Sequence, residues 1–144
     1  MTRLQRLRAC VSLAVGVSAP PTMGATPPEH FILGTWQFEV PGTHCTETHK
    51  YLPDGTRHAT SGREVLVSKF TLSTRAGVGG YYELTDTVVA ANGQPDCSGG
   101  VTNVGATSTV YVAFLAPGDA MLQCREASFK NCYGPLKRVR GSDS

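Results

Sequence analysis

Apolar and polar residues alternate over most of the chain with a period of two, and no window sustains a 3.6-residue repeat. The clearest opening is Leu33-Gly34-Thr35-Trp36-Gln37-Phe38-Glu39-Val40, where Trp36, Phe38 and Val40 share one face of a strand and Thr35, Gln37 and Glu39 the other. Pro41-Gly42 ends this strand. A second strand is expected between residues 43 and 52, turned by Pro53-Asp54-Gly55-Thr56. Residues 57–61 return, Gly62 interrupts, and the run 63–73 (REVLVSKFTLS) is rich in β-formers. After the glycine-rich break at 76–80 come strands at 81–91 and 106–116, separated by a long loop at 92–100. Pro117-Gly118-Asp119 turns the chain into 120–126, and 131–139 makes the last strand. Seven or eight short strands, with no room for crossover helices, imply antiparallel sequential pairing. Closure removes the exposed edges, so the expected fold is all-β: one antiparallel up-and-down barrel of about eight strands, with an open sandwich as alternative.

The N-terminus follows a different pattern. Arg3, Arg6 and Arg8 precede an apolar run from Ala9 to Ala19 and a Pro/Thr/Gly/Ala stretch. This is the composition of a secretory signal peptide, and the run is too short to span a bilayer. Residues 1–25 read as the signal, 26–31 as a proline-containing linker, 32–140 as the barrel and 141–144 as a disordered tail. Export to a periplasmic or extracellular space is expected. Of the 13 Lys+Arg and 11 Asp+Glu, three arginines leave with the signal. The exported chain then carries a net charge of −1, which points to neither nucleic acid nor, after cleavage, a membrane as partner.

Four cysteines remain in the exported chain: Cys45, Cys97, Cys124 and Cys132. An even count in an oxidising compartment implies two disulfides. With a turn centred near Ser128, Cys124 and Cys132 lie opposite each other on paired strands, leaving Cys45 with Cys97. The other two connectivities stay open at this level.

Gly34-Thr35-Trp36 on the first strand, with basic residues near the C-terminus, resembles the calycin superfamily of lipocalins, avidins, fatty-acid-binding proteins and barrel-shaped bacterial protease inhibitors. The resemblance covers the strand count and the two ends of the chain, without the further lipocalin motifs. It implies a structural pairing in which a C-terminal basic side chain, here Arg138, packs over Trp36 and closes the barrel.

Chemistry-bearing clusters are few. In His44-Cys45-Thr46-Glu47-Thr48-His49, the residues Cys45, Glu47 and His49 share a face. An extended set at i, i+2, i+4 spans about 13 Å, too far for one ion, and Cys45 belongs with the disulfides. No metal or other cofactor is expected. No Gly-x-Ser-x-Gly elbow singles out a serine nucleophile, so catalysis is not expected either. Asp86 shares parity with Tyr82, Leu84 and Val88, and an inward carboxylate there requires an Arg or His partner. Phe70, Tyr82, Asp86, Tyr111 and Phe114 are the candidate lining of a ligand pocket. Gly77, Gly79, Gly80, Asn92, Gln94 and Asp96 mark loops able to meet a partner. The expected function is non-catalytic binding of a small apolar ligand or of a secreted or periplasmic protein. An inhibitor or immunity-type protein that blocks a hydrolase is the alternative, and a small hydrolase the remotest reading. The oligomeric state is not legible.

Overall fold

A computed structural model describes residues 31–116 and 118–141. The expected signal (1–25) lies outside the described residues, as does all of the expected linker but Phe31 and all of the tail but Gly141.

Eight strands follow in order: β1 (Gly34–Glu39), β2 (Thr46–Tyr51), β3 (Thr56–Ser61), β4 (Glu64–Leu72), β5 (Tyr82–Ala91), β6 (Thr107–Leu115), β7 (Ala120–Cys124) and β8 (Cys132–Arg138). Each pairs antiparallel with the next, and β8 returns to β1, so the sheet closes as a barrel rather than an open sandwich. The first strands follow the alternation of the sequence. β2 starts later than the pattern suggests, because Thr43 N donates to Val40 O and Val40 N to Cys45 O, which ties residues 40–45 into a turn. Gly62 enables the two-residue β3–β4 turn: its φ of +58° is the first-position geometry of a tight hairpin. Asp54 Oδ1 braces the β2–β3 turn by accepting the Thr56 amide at 2.9 Å.

The two ends of the barrel differ in chemistry. At one end Ile32, Trp36, Leu84, Val112, Met121 and Leu136 form the main apolar core, joined on its inner side by Tyr51. Trp36 is fully buried, and its indole N–H donates to Ile32 O at 2.7 Å. Arg138 closes this end. Its guanidinium carbon sits 4.1 Å from the Trp36 ring centre, while Nη1 and Nη2 donate to the carbonyls of Leu33 (2.6 Å) and Phe31 (2.5 Å).

Both disulfides lie at the other end. Cys45–Cys97 ties the β1–β2 turn to the long β5–β6 loop, and Cys124–Cys132 staples the base of the β7–β8 hairpin. Among the described residues the inner apolar cluster toward this end is small, made of Ala59, Leu66 and Val88.

Candidate functional site

The middle of the barrel is filled by polar side chains. β2 turns Glu47, His49 and Tyr51 inward, because strand alternation puts them on the face that carries Trp36 and Phe38 of the paired β1. β3 adds Arg57 and Ser61, β4 adds Ser68, and β5, the next strand of the wall, adds Asp86. Arg57 Nε lies 2.6 Å from Asp86 Oδ2. The contact has the distance of an ion pair but not the alignment of a hydrogen bond, and both side chains are almost wholly buried. Asp86 thus meets the inward arginine its position requires.

Arg57 holds two further groups. Its Nη2 donates to Ser68 Oγ at 3.4 Å, and its Nη1 lies 3.0 Å from His49 Nδ1. A guanidinium only donates, so Nδ1 is the acceptor and the imidazole is neutral with its proton on Nε2. That nitrogen faces Glu47 Oε2 at 3.8 Å. Burial pushes the His49 imidazole below its ordinary pKa, Arg57 adds to the shift, and Glu47 opposes it only in part. Glu47 is held below the usual carboxylate range, first by His49 and then by the Ser61 hydroxyl, against the cost of its own burial. Nearer the apolar core, Tyr133 donates to Gln123 Oε1, and Gln123 Nε2 donates to the Tyr51 hydroxyl at 3.3 Å. Burial raises the pKa of both tyrosines.

The β5–β6 loop is fastened across the rim above this network. Ser61 Oγ donates to Glu47 Oε1 at 2.8 Å and accepts the Cys97 amide at 3.0 Å. Glu64 Oε1 accepts the Thr102 amide at 3.0 Å, and Arg63 N donates to Pro95 O at 3.1 Å. Asn92 clamps the base of the loop: its Oδ1 accepts the Val65 amide and its Nδ2 donates to Arg63 O. Asp96 Oδ1 accepts the Ser98 and Gly100 amides, a turn that stiffens the loop tip. With the Cys45–Cys97 bond these contacts make residues 92–106 a fixed cover.

The residues singled out from the sequence are thereby distributed. Phe70, Tyr82, Asp86 and Phe114 face inward, but at different depths. Phe70 packs edge-on against Tyr51 with ring centres 5.0 Å apart. Tyr82 and Phe114 meet at 5.7 Å beside Phe31 at the tryptophan end. Tyr111 does not join them. It packs on the outer face with Tyr81, Leu122 and the Cys124–Cys132 disulfide, because β6 turns its even-numbered residues inward. The expected five-residue lining is therefore not one pocket.

The loop residues also separate. Gly77, Gly79 and Gly80 lie at the tryptophan end around a short 3-10 turn (Val78–Gly80), while Asn92, Gln94 and Asp96 lie at the disulfide end. They cannot form one contact surface. Cys45 is bonded to Cys97, which separates it from Glu47 and His49. Sequence reasoning missed Arg57, Ser61 and Glu64. The signal that could have found Arg57 and Ser61 is their shared parity with Ala59 on a strand beside β2.

Concavities lie around the rim. One of ≈ 980 Å³ opens between β6 and the β7–β8 hairpin. One of ≈ 530 Å³ is bordered by Phe31, Tyr82, Phe114 and Leu115. No protein-family model, curated protein or solved structure matches the chain.

Proposed function

We propose that this chain is a non-catalytic exported binding protein of lipocalin-like shape that engages another protein through its rim, in the manner of an inhibitor or immunity-type protein. One observation carries the reading. The space in which a hollow barrel would hold an apolar guest is occupied by the Arg57–Asp86 ion pair and the His49, Glu47 and Ser68 groups around it. An apolar molecule would have to displace buried charges whose partners lie inside the barrel with them. A stapled wall and a latched loop instead present surface with little conformational entropy left to lose on binding. The four cysteines paired as two disulfides fit an exported protein.

A second reading rests on the ≈ 530 Å³ concavity at the tryptophan end, where Phe31, Tyr82, Phe114 and Leu115 offer an apolar surface to a small ligand outside the filled interior. Native mass spectrometry of the protein recovered from its own compartment separates the two. A co-purifying protein supports the first reading, and a retained adduct of a few hundred daltons supports the second. Recovery of the bare chain alone, under conditions that preserve known complexes, overturns both.

A further inference from the structure

The barrel wall is incomplete on one side. β7 pairs with β6 only from Tyr111↔Cys124 to Leu115↔Ala120, whereas β6 begins four residues earlier, at Thr107. Beyond Cys124 the chain leaves the barrel: residues 125–131 curl outward, and Phe129 rests on Tyr81 with ring centres 5.3 Å apart. Among the described residues no strand pairs with Thr107–Val110 on this side. Thr107, Ser108 and Thr109 are all exposed, although Ser108 has the inward parity of Val110 and Val112.

Ladder geometry states which backbone groups are left over. Val88 N donates to Ala106 O, and the pairs Asp86↔Ser108, Leu84↔Val110 and Tyr82↔Val112 continue the same register in steps of two. In an antiparallel ladder these are the hydrogen-bonded pairs, so even-numbered residues of β6 are served by β5. The N–H and C=O of Thr107 and Thr109 point the other way, and those of Thr109 border the ≈ 980 Å³ cleft whose lining includes Ser108, Val110, Arg125, Asn131 and Tyr133. Free edges are ordinarily blunted by lysine, proline or an inward charge. The segment Thr107-Ser108-Thr109-Val110 carries none of these and consists of residues that suit a strand.

We infer that this edge accepts an extended segment of a partner protein as an added ninth strand, seated between β6 and the 125–131 loop. The inference deepens the protein-binding reading above and rests on it. Backbone groups of Thr107 and Thr109 supply the pairing, which is sequence-tolerant, and side-chain alternation supplies selectivity. A guest residue opposite Val110 turns inward toward Val110 and Tyr133, so it is apolar, while its neighbour opposite Thr109 faces water and is polar. The cleft is walled on both sides, by Ser108–Val110 on one and by Arg125, Glu126 and Asn131 on the other, so its occupant is a single strand rather than the wall of a second barrel.

Amide hydrogen exchange on the exported protein, with both disulfides formed, tests the edge first. Thr107 and Thr109 exchange fast and Ser108 and Val110 slowly; equal protection of all four overturns the proposal. A capped hexapeptide of alternating Thr and Val is then the probe. It slows exchange at Thr107 and Thr109 by about tenfold, and the same peptide N-methylated at the residue facing Thr109 does not. Thr109→Pro removes an outward N–H that β5 does not use, so the barrel persists, as read by Trp36 fluorescence, and the peptide effect is lost. Equal responses to the plain and N-methylated peptides overturn the proposal, as does an unaltered response of Thr109→Pro. A protein partner that co-purifies equally with wild type and Thr109→Pro overturns the edge while leaving the protein-binding reading in place. Absence of any protein partner, with the peptide effect intact, rejects that reading and not the edge. A doubling of mass abolished by Thr109→Pro assigns the edge to a second copy and overturns the choice of occupant.

Discussion

Arg138 sits over the Trp36 ring, 105 residues from the Leu33 carbonyl that its Nη1 reaches, so one side chain joins the first strand to the last. The contact combines a cation over an aromatic face with charge-assisted hydrogen bonds to two backbone carbonyls. Arg138→Ala is expected to lower unfolding free energy by roughly 2–4 kcal/mol. Arg138→Lys recovers less than half of this, because an ammonium cannot fork to both carbonyls. Urea unfolding followed through Trp36 measures both; a loss below about 0.5 kcal/mol for the alanine variant removes this contact from the list of what closes the barrel.

Gly34 is needed for the same closure. Its φ is +112°, and a Cβ there would stand 2.9 Å from Arg138 Nη1. Gly34→Ala is expected to cost about 1–3 kcal/mol through backbone strain and displacement of the guanidinium. Because both act on one contact, the double variant Gly34→Ala/Arg138→Ala should cost clearly less than the two losses added, and strict additivity would separate them.

The interior ion pair gives an asymmetric prediction. Asp86→Asn leaves the buried Arg57 charge without its counter-charge and is expected to cost about 3–5 kcal/mol. Replacing both members, Arg57→Met with Asp86→Leu, removes the charge as well as its partner and should recover most of that loss. Thermal unfolding decides, and a double variant no better than Asp86→Asn would mean that the pair's wider hydrogen bonding matters more than its charge balance.

Acid should weaken the fold in two stages with the same sign. His49 has a folded pKa below its ordinary 6.5, so the unfolded chain takes up the proton first and stability rises with pH. Its contribution is complete above about pH 6.5 and declines as pH falls below that value toward the folded pKa. Glu47, also lowered, contributes fully above about pH 4.5 and loses its contribution below it as pH falls through the folded pKa. Stability measured from pH 8 to 3 should therefore begin to fall just below neutrality, and His49→Gln should flatten the upper part of the curve only. An unchanged upper part in that variant assigns the early decline to another group.

The cover over the rim is a separable element. Cys45→Ala with Cys97→Ala opens a ring of 52-residue separation, whose loop-closure entropy sets a loss of about 4 kcal/mol. Amides of residues 92–106 should lose protection at denaturant concentrations that leave β6 and β7 intact, which exchange mass spectrometry resolves by segment. Simultaneous loss across the barrel would show the cover to be part of the cooperative core.

How much of this was legible in the sequence follows from which interactions are local. Alternation in β1 and β5 puts Trp36 with Phe38, and Asp86 with Tyr82, Leu84 and Val88, on common faces, and two-residue spacing with turn residues carries the strand order. Tyr111 was misplaced because aromatic character says nothing about direction, whereas the register Tyr82↔Val112 does. The partner of Asp86 was legible as a requirement but not as a residue. Arg57 reaches it from β3 over the inner face of β4, which lies between the two strands in the wall, and barrel curvature decides that contact. Gly77–Gly80 and Asn92–Asp96 look alike in the sequence because a linear pattern does not show which end of a barrel each connection occupies.

Ser61 carries a consequence for how the two parts of the molecule communicate. Its hydroxyl accepts the Cys97 amide from the cover and gives its own proton to Glu47, which in turn faces His49. Occupancy of the covering loop and protonation of the interior are thus thermodynamically linked, and the linkage is reciprocal. Lifting residues 92–106 from the rim takes the Cys97 amide away from the same hydroxyl that donates to Glu47, so the cover and the interior carboxylate share one side chain.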